Sequence, residues 1–89
     1  GWDDVGSWLA VGRIKKNDDN SNVINGNVVA VNTKGCVIEG GEKLIATVGL
    51  RDIVVVDTKD ATLITTKENA GEIKQVLAKL REEGKNEYL

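Results

Sequence analysis

The residues best suited to chemistry stand at the start of the chain, where two tryptophans, two adjacent carboxylates and two glycines fall within eight positions. The carboxylates are Asp3 and Asp4, and Gly6 follows them closely. A glycine permits backbone conformations and close approaches that a side chain blocks, and carboxylate oxygens are ligands that Mg²⁺ prefers. Asp residues ahead of a short helix more often cap that helix. The residue types alone therefore leave a metal site and a helix cap both open.

The octet Gly1-Trp2-Asp3-Asp4-Val5-Gly6-Ser7-Trp8 resembles the segment that closes the catalytic domain of mannose-1-phosphate guanylyltransferases, whose pattern is Gly-Trp-x-Asp-Val-Gly-Ser-Trp. The stretch from Val48 to Ala61 is similar to a second recurrent segment of that family. In the family, the Asp after the variable position is a ligand of the catalytic Mg²⁺, and the motif places this role on Asp4. Asp3 falls at the variable position, where we keep the helix-cap interpretation.

The resemblance implies that the chain is the C-terminal portion of an enzyme that converts GTP and mannose 1-phosphate to GDP-mannose and pyrophosphate. The family's Gly-rich nucleotide-binding loop and its Glu-Lys-Pro segment do not occur in these 89 residues. We therefore expect no complete catalytic site and no cofactor-binding residue here, and we expect the second metal ligand in a missing N-terminal catalytic domain. The isolated chain is expected to be inactive and not to hold Mg²⁺ by itself.

Other functional classes compete with this interpretation. A free-standing β-helix structural or oligomerisation module would need no upstream domain. A nucleotidyltransferase for another nucleotide or sugar phosphate would share this portion, since selectivity would reside in the missing domain. A β-helix acyltransferase is disfavoured, because it would show regular six-residue repeats and usually a catalytic histidine, and the chain has no histidine.

The composition of the chain limits the classes of partner that the protein is expected to bind. The chain is 40% hydrophobic and 29% charged with a net charge of −2, which is typical of a globular domain without a basic surface for nucleic acid. No apolar run approaches the roughly 18–20 residues that span a bilayer. We expect a cytoplasmic protein with neither nucleic-acid nor membrane partners. The single cysteine, Cys36, excludes an intrachain disulfide and is interpreted as a small buried hydrophobic residue.

The middle of the chain, from Val23 to Thr66, is a succession of short β-prone runs separated by turn residues. Runs that begin roughly eight or nine residues apart suit an antiparallel meander or the coils of a parallel β-helix, and spacing does not decide between them. The resemblance implies the second, so we predict a mainly β fold: a short, irregular, left-handed parallel β-helix. The predicted runs are Val23-Ile24, Val28 to Val31, Cys36 to Ile38, Leu44 to Val48, Ile53 to Val56, and Thr62 to Thr65.

Two helices are predicted to flank the β-helix. Apolar spacings over residues 5–14 indicate a short N-terminal helix, and the polar stretch 15–22 separates it from the strands. We assign residues 1–16 to the remnant of the catalytic domain and residues 17–89 to the β-helix domain. The C-terminal helix has an amphipathic stripe with i, i+3, i+4, i+7 spacing, and we predict that this stripe seals the open end of the β-helix. The stripe consists of Ile73, Val76, Leu77 and Leu80.

The ends of this C-terminal helix carry local signals. Asn69 and Glu72 resemble a capping box, and Gly84 stands where a glycine commonly follows a helix. The charged side chains of the helix mix both signs, so we predict that its polar face is solvated.

Packing expectations complete the prediction. Successive side chains of a strand point to opposite faces, so Val54, Val55 and Val56 cannot all lie on one face of a sheet. We therefore predict that this strand is buried on both sides, with the helix or a second subunit covering it. We also expect a homo-oligomer. Trp2 and Trp8 are interpreted as packing anchors. Three aspartates near this strand offer either a second cation site or turn caps, and turn caps are favoured. They are Asp52, Asp57 and Asp60.

Overall fold

The computed structural model describes Trp2, residues 20–85 and Glu87, and short strands dominate that part of the chain. The strands are β1 (Val23–Asn25), β2 (Val28–Val31), β3 (Val37–Glu39), β4 (Ile45–Val48), β5 (Ile53–Asp57) and β6 (Thr62–Thr66). A 3₁₀ helix over Ala70–Glu72 leads into α1 (Ile73–Glu82). All six predicted β runs and the C-terminal helix are confirmed. The predicted N-terminal helix and the domain boundary after residue 16 lie outside the described residues.

The strands stack in parallel as the chain winds. The order β1-β3-β5-β6 forms one sheet, with β1, β3 and β5 parallel, and β2 pairs in parallel with β4 in a second sheet. Val37 pairs with Val54 and Val28 pairs with Ile45, each 17 residues later in the chain. The chain thus returns to an equivalent strand position after each coil, and the predicted parallel β-helix is confirmed. Its left hand stays a prediction.

The last strand departs from this pattern. β6 pairs antiparallel with β5, with Asp57 opposite Thr62. The connection between β5 and β6 is a short turn. Thr58 closes it, because its N–H and its hydroxyl both donate to the Ala61 carbonyl, at 2.8 and 2.9 Å. A parallel partner needs a crossover of a dozen or more residues, whereas a short turn joins only antiparallel strands. The third coil therefore ends in a hairpin.

Strand β5 is buried on both sides, as predicted. Val54 and Val56 project to the outer face of the sheet, into a core with Trp2 and Leu63. Val55 projects inward, into a second core at the centre of the β-helix. The alternation follows from the two-residue period of a strand. The inner core is formed by Cys36, Ile38 and Val55, with half-buried Ile24, Val28, Ile45, Leu50 and Ile53 around them.

Helix α1 covers the outer face of the four-stranded sheet. Ile73 is buried in the outer core, and Leu77 and Leu80 pack against it. The prediction that α1 seals the open end of the β-helix is therefore wrong. The physical reason is that Val54 and its outward-facing neighbours present bulky apolar side chains along the whole sheet, and this surface needs a cover. The remaining predicted member of the stripe, Val76, keeps 39% of its surface exposed.

The start of α1 does not use the predicted capping box. The Asn69 side chain makes no capping hydrogen bond, and the Asn69 N–H instead donates to the Thr66 hydroxyl at 3.0 Å. The Glu72 N–H donates to the Asn69 carbonyl, which tightens this turn into the 3₁₀ helix. The segment between Asn69 and Glu72 is thus a helical turn of its own, and the box has no α-helical first turn to close.

The end of α1 follows its sequence signal. Gly84 adopts φ +73°, which favours glycine. The Gly84 N–H donates to the Arg81 carbonyl at 3.2 Å, and the Lys85 N–H donates to the Leu80 carbonyl at 2.8 Å. This pair of bonds is the Schellman arrangement that satisfies the last carbonyls of a helix.

Candidate functional site

The motif predicted to bind a metal comprises residues 1–8, and of these the structure describes only Trp2. Asp4, the predicted Mg²⁺ ligand, lies outside the described residues, as do Asp3, Gly6 and Trp8. The assignment of Asp4 therefore stays a prediction. In the part of the chain that the structure describes, no three His, Cys, Asp or Glu side chains come together as a metal-binding group.

Trp2 attaches the start of this motif to the β-helix. Its side chain is only 7% exposed and belongs to the outer core with Val23, Val37 and Ile73. The prediction that Trp2 is a packing anchor is confirmed. An indole can bury about 150–250 Å² and so contributes strongly to a small core. The motif consequently begins on the outer face of the sheet, beside helix α1.

The three aspartates near β5 do not form a cation site. Asp57 accepts a hydrogen bond from the Thr62 hydroxyl at 2.5 Å and lies 3.4 Å from the Lys43 ammonium. The Thr62 hydroxyl, and to a smaller degree the Lys43 charge, lower the pKa of Asp57 because both stabilise its ionised form. Asp52 occupies a coil corner with φ +54°, and Asp60 is exposed in the hairpin loop.

Asp52 and Asp60 stand at bends, whereas Asp57 is the last residue of β5 and does not cap the hairpin as predicted. Asp57 bridges the two strands through Thr62, whereas the turn itself is closed by Thr58. The Thr58 hydroxyl also accepts from the Ala61 N–H at 3.2 Å. Threonine turns of this kind were not predicted, although a Thr hydroxyl in a short loop can bond nearby backbone groups.

A cavity of about 440 Å³ adjoins the hairpin. It brings the Lys43 ammonium and the Asp57 carboxylate together with exposed Glu42 and Lys59. Both signs of charge are present and already paired in part, so the cavity has neither a nucleophile with its base nor a cluster of donors for an anion. The arrangement supports no catalytic step.

Cys36 is confirmed as a buried residue. Its side chain has no exposed surface, its thiol lies 3.5 Å from the Lys34 carbonyl, and its sulfur accepts from the Ile53 N–H at 3.4 Å. Reactive cysteines need solvent access and a positive environment. Cys36 therefore fills the inner core.

A largely apolar groove of about 380 Å³ lies beside β4, and its lining also includes the paired Lys43 and Asp57. Leu44, which precedes β4, and Ile64 on β6 both line the groove and are 56% and 67% exposed. This surface was not predicted, because the β-prone run Leu44 to Val48 carries no sequence signal for which of its side chains stay exposed. Within β4 the polar Thr47 is buried and the apolar Val48 is exposed, which reverses the usual pattern of an amphipathic strand.

Within residues 20–85, no helix combines the length and the apolar character needed to cross a lipid bilayer.

These features define a short parallel β-helix domain with one covering helix and no catalytic constellation in its described part. Residues 26–80 match the family described as "MannoseP isomerase/GMP-like beta-helix domain", and the chain belongs to that family.

Two curated relatives match nearly the whole chain. The chain is 42% identical over 87 residues to "Alginate biosynthesis protein AlgA" of Pseudomonas putida, covering 98% of the chain and 18% of that protein. It is 43% identical over 88 residues to "Putative mannose-1-phosphate guanylyltransferase" of Vibrio cholerae serotype O1, covering 99% and 19%. The chain thus spans about a fifth of the length of these curated relatives.

A solved structure has the same fold. The crystal structure of "mannose-1-phosphate geranyltransferase" from Thermus thermophilus superposes with a TM-score of 0.72 and 34% sequence identity. The match covers 88% of this chain and 24% of that one.

Proposed function

We propose that the chain is the C-terminal portion of a mannose-1-phosphate guanylyltransferase. The observation that carries this proposal is similarity over nearly the whole chain, at 43% identity, to a relative named for that activity. The octet that contains Asp4 also supports it, because that motif closes the catalytic domain in the family it resembles.

The proposed reaction is attack by a phosphate oxygen of mannose 1-phosphate on the α-phosphorus of GTP, with pyrophosphate as leaving group. Both reactants are anionic, so the reaction needs charge neutralisation, which bound Mg²⁺ supplies. Asp4 is the residue of this chain that would hold the metal, since a carboxylate is a suitable ligand. The remaining ligands and the groups that select base and sugar would belong to the missing N-terminal catalytic domain.

The described part of the chain would serve packing and assembly. Two cores enclose β5, and the buried Trp2 joins the start of the chain to the outer one. We infer that residues 17–89 form a β-helix domain that packs against the catalytic domain, that the enzyme is a cytoplasmic homo-oligomer, and that the isolated chain is inactive. Sedimentation of the full-length protein at high micromolar concentration tests the oligomer, and a monomer would contradict it.

Two alternatives differ in what they require. A nucleotidyltransferase for another sugar phosphate would show activity with other substrates. A free-standing β-helix module would show no nucleotidyl transfer even in the complete polypeptide. We keep this alternative because the described residues contain no catalytic constellation.

The test is pyrophosphate release from GTP and mannose 1-phosphate with Mg²⁺ by the complete polypeptide, compared with its Asp4→Asn and Asp3→Asn variants. Asp3→Asn is the matched control, because it changes the neighbouring carboxylate by the same atoms. We expect activity to collapse in Asp4→Asn and to persist in Asp3→Asn. Activity that survives unchanged in Asp4→Asn would leave Asp4 a helix cap, and no activity of the complete polypeptide with any nucleotide would favour the structural module.

A further inference from the structure

In this chain one asparagine is followed directly by glycine, in the pair Asn25-Gly26 at the end of β1. Asparagine is thermolabile, because the backbone nitrogen of the next residue can attack its side-chain carbonyl carbon. Glycine has no Cβ, so it hinders this attack less than any other residue does. Asn25 is therefore the position of this chain at which the sequence most favours spontaneous deamidation.

The reaction at this pair consumes water and needs no catalyst. The Gly26 amide nitrogen forms a bond to the Asn25 Cγ, and the bond from Cγ to Nδ2 breaks. The side-chain nitrogen leaves as ammonia and takes with it the proton lost from the Gly26 N–H. Water then opens the resulting five-membered succinimide at one of its two carbonyl carbons, which leaves either aspartate or isoaspartate at position 25.

The folded coil holds Asn25 in a conformation that does not close this ring. The extended backbone of a strand points the next amide nitrogen away from the side chain, so the Cα–C bond of Asn25 must rotate first. That rotation turns the Asn25 carbonyl, which accepts a hydrogen bond from the Gly40 N–H at 2.9 Å. The side chain is held as well, because the Asn25 Nδ2 donates to the Glu39 Oε2 at 2.8 Å. The first coil must therefore open locally and break both bonds before the reaction occurs.

The attacking residue is also held, although water reaches it. Gly26 is exposed, but its backbone is packed so closely on the next coil that an added Cβ would lie 2.6 Å from the Gly40 carbonyl carbon. The following N–H, that of Asn27, donates to the Gly41 carbonyl at 3.1 Å. The pair is thus accessible to solvent and restrained by its conformation.

We propose that Asn25 is a site of spontaneous deamidation, that the folded β-helix suppresses the reaction, and that the product irreversibly weakens the first coil. Glu39 is the register partner of Asn25 in β3. Reaction removes the donor that faces Glu39 and puts a second carboxylate there, and like charges on neighbouring strands destabilise a sheet. Isoaspartate also inserts its Cβ into the backbone and so displaces Gly26 from its fit against Gly40. This chemistry does not depend on the proposed nucleotidyl transfer.

The first test compares deamidation of the complete polypeptide when folded and when denatured in urea. Peptide mapping by mass spectrometry follows the mass gain at Asn25, and chromatography separates aspartate from isoaspartate. We expect conversion at Asn25 to be at least about tenfold slower in the folded protein, because two hydrogen bonds must break to reach the reactive form. Asn25→Gln is the control, since a glutamine keeps the amide but cannot close a five-membered ring.

Equal rates in the folded and denatured protein would overturn the suppression. A denatured chain that does not convert at Asn25, or that converts faster at another asparagine, would overturn the site. Conversion of Asn25→Gln at the wild-type rate would do the same.

The second test measures the effect of the product by hydrogen–deuterium exchange of the complete polypeptide. Asn25→Asp reproduces the aspartate product, and its matched control is Asn32→Asp, because Asn32 is exposed and its carbonyl accepts from the Arg51 guanidinium. We expect the amides of β1 and β3 to exchange about fivefold faster or more in Asn25→Asp, and to be unchanged in Asn32→Asp. Adding Glu39→Gln to Asn25→Asp restores a donor beside the new carboxylate and should recover the protection.

Equal exchange in Asn25→Asp and Asn32→Asp would overturn the weakening of the first coil. Faster exchange that Glu39→Gln does not reverse would overturn the role given to the Glu39 carboxylate.

Discussion

Asn22 and Thr33 are joined inside the β-helix by a hydrogen bond of 2.8 Å from the Asn22 Nδ2 to the Thr33 carbonyl oxygen. Both residues are 2% exposed. The Asn22 Oδ1 also accepts from the Cys36 N–H at 2.9 Å, so one side chain satisfies backbone groups 11 and 14 residues away. A buried backbone group without a hydrogen-bond partner lowers the stability of the fold. Asn22 supplies that partner to two such groups, which explains why a polar residue lies in the core.

Replacement of Asn22 by Ala is predicted to destabilise the domain by about 2 kcal/mol or more. The change leaves the Cys36 N–H and the Thr33 carbonyl without this partner, at roughly 1–3 kcal/mol for each unsatisfied group. Urea unfolding followed by circular dichroism measures the loss. Asn27→Ala is the matched control, because Asn27 is exposed and bonds the Glu42 carbonyl at 3.2 Å, so about 0.5 kcal/mol or less is expected. Equal losses in the two variants would contradict the role given to Asn22.

Replacement of Thr62 by Val is predicted to raise the pKa of Asp57 towards its ordinary value of about 3.9. The Thr62 hydroxyl is the main cause of the lowered pKa, and Lys43 remains in the variant. NMR titration of the Asp57 carboxyl measures the change. Thr65→Val is the control on the same strand, since the Thr65 hydroxyl bonds a carbonyl and no titratable group. An unchanged Asp57 pKa in Thr62→Val would show that Lys43 alone sets it.

The same interaction makes stability depend on acid pH. A pKa that is lower in the folded state contributes stability above the unfolded value, near 3.9, and this contribution is lost as the pH falls through the folded pKa. The difference in unfolding free energy between wild type and Thr62→Val should therefore shrink from pH 7 to pH 3. A difference that stayed constant over this range would assign the effect to packing.

The sequence predicts the elements well because their signals are local. The two-sided burial of Val54-Val55-Val56 follows from the strand period, and Gly84 ends α1 because a positive φ favours glycine. The parallel arrangement was not decided by spacing and came from the resemblance. The prediction of Asp4 likewise rests on its motif, since a lone carboxylate has no physical signature of metal binding.

The errors of prediction concern contacts between distant residues. Asn22 stands in a polar stretch that is typical of a loop, and only the return of the chain 11 and 14 residues later gives its side chain buried partners. The placement of α1 on the sheet face has the same origin, because an amphipathic stripe shows that a helix packs but not where. The groove beside β4 also depends on tertiary structure, namely on the hairpin that follows β5.

Replacement of Trp2 by Ala is predicted to cost about 3–5 kcal/mol, as is usual for truncating a buried aromatic residue. Trp2 belongs to the outer core with Val54 and Ile73, and its loss leaves a cavity between sheet and helix. Trp2→Phe keeps most of the volume and should retain the fold with a smaller loss. Chemical unfolding followed by far-UV circular dichroism compares the variants. A loss below about 1 kcal/mol in Trp2→Ala would mean that Trp2 does not anchor the start of the chain.

Alanine substitution at three glycines should separate the cost of backbone conformation from the cost of a close contact. Gly71 has neither a positive φ nor an atom within 4 Å of an added Cβ, Gly49 has φ +71° but open space, and Gly26 has φ +93° with the Gly40 carbonyl carbon only 2.6 Å away. We expect a change within about 0.5 kcal/mol at Gly71 and a loss of about 1–3 kcal/mol at Gly49 from the strained backbone. The loss at Gly26 should be larger by roughly 1–3 kcal/mol, since backbone of the next coil must shift. Equal losses at Gly49 and Gly26, measured by urea unfolding, would show that the coils do not pack as closely as the Gly26–Gly40 contact requires.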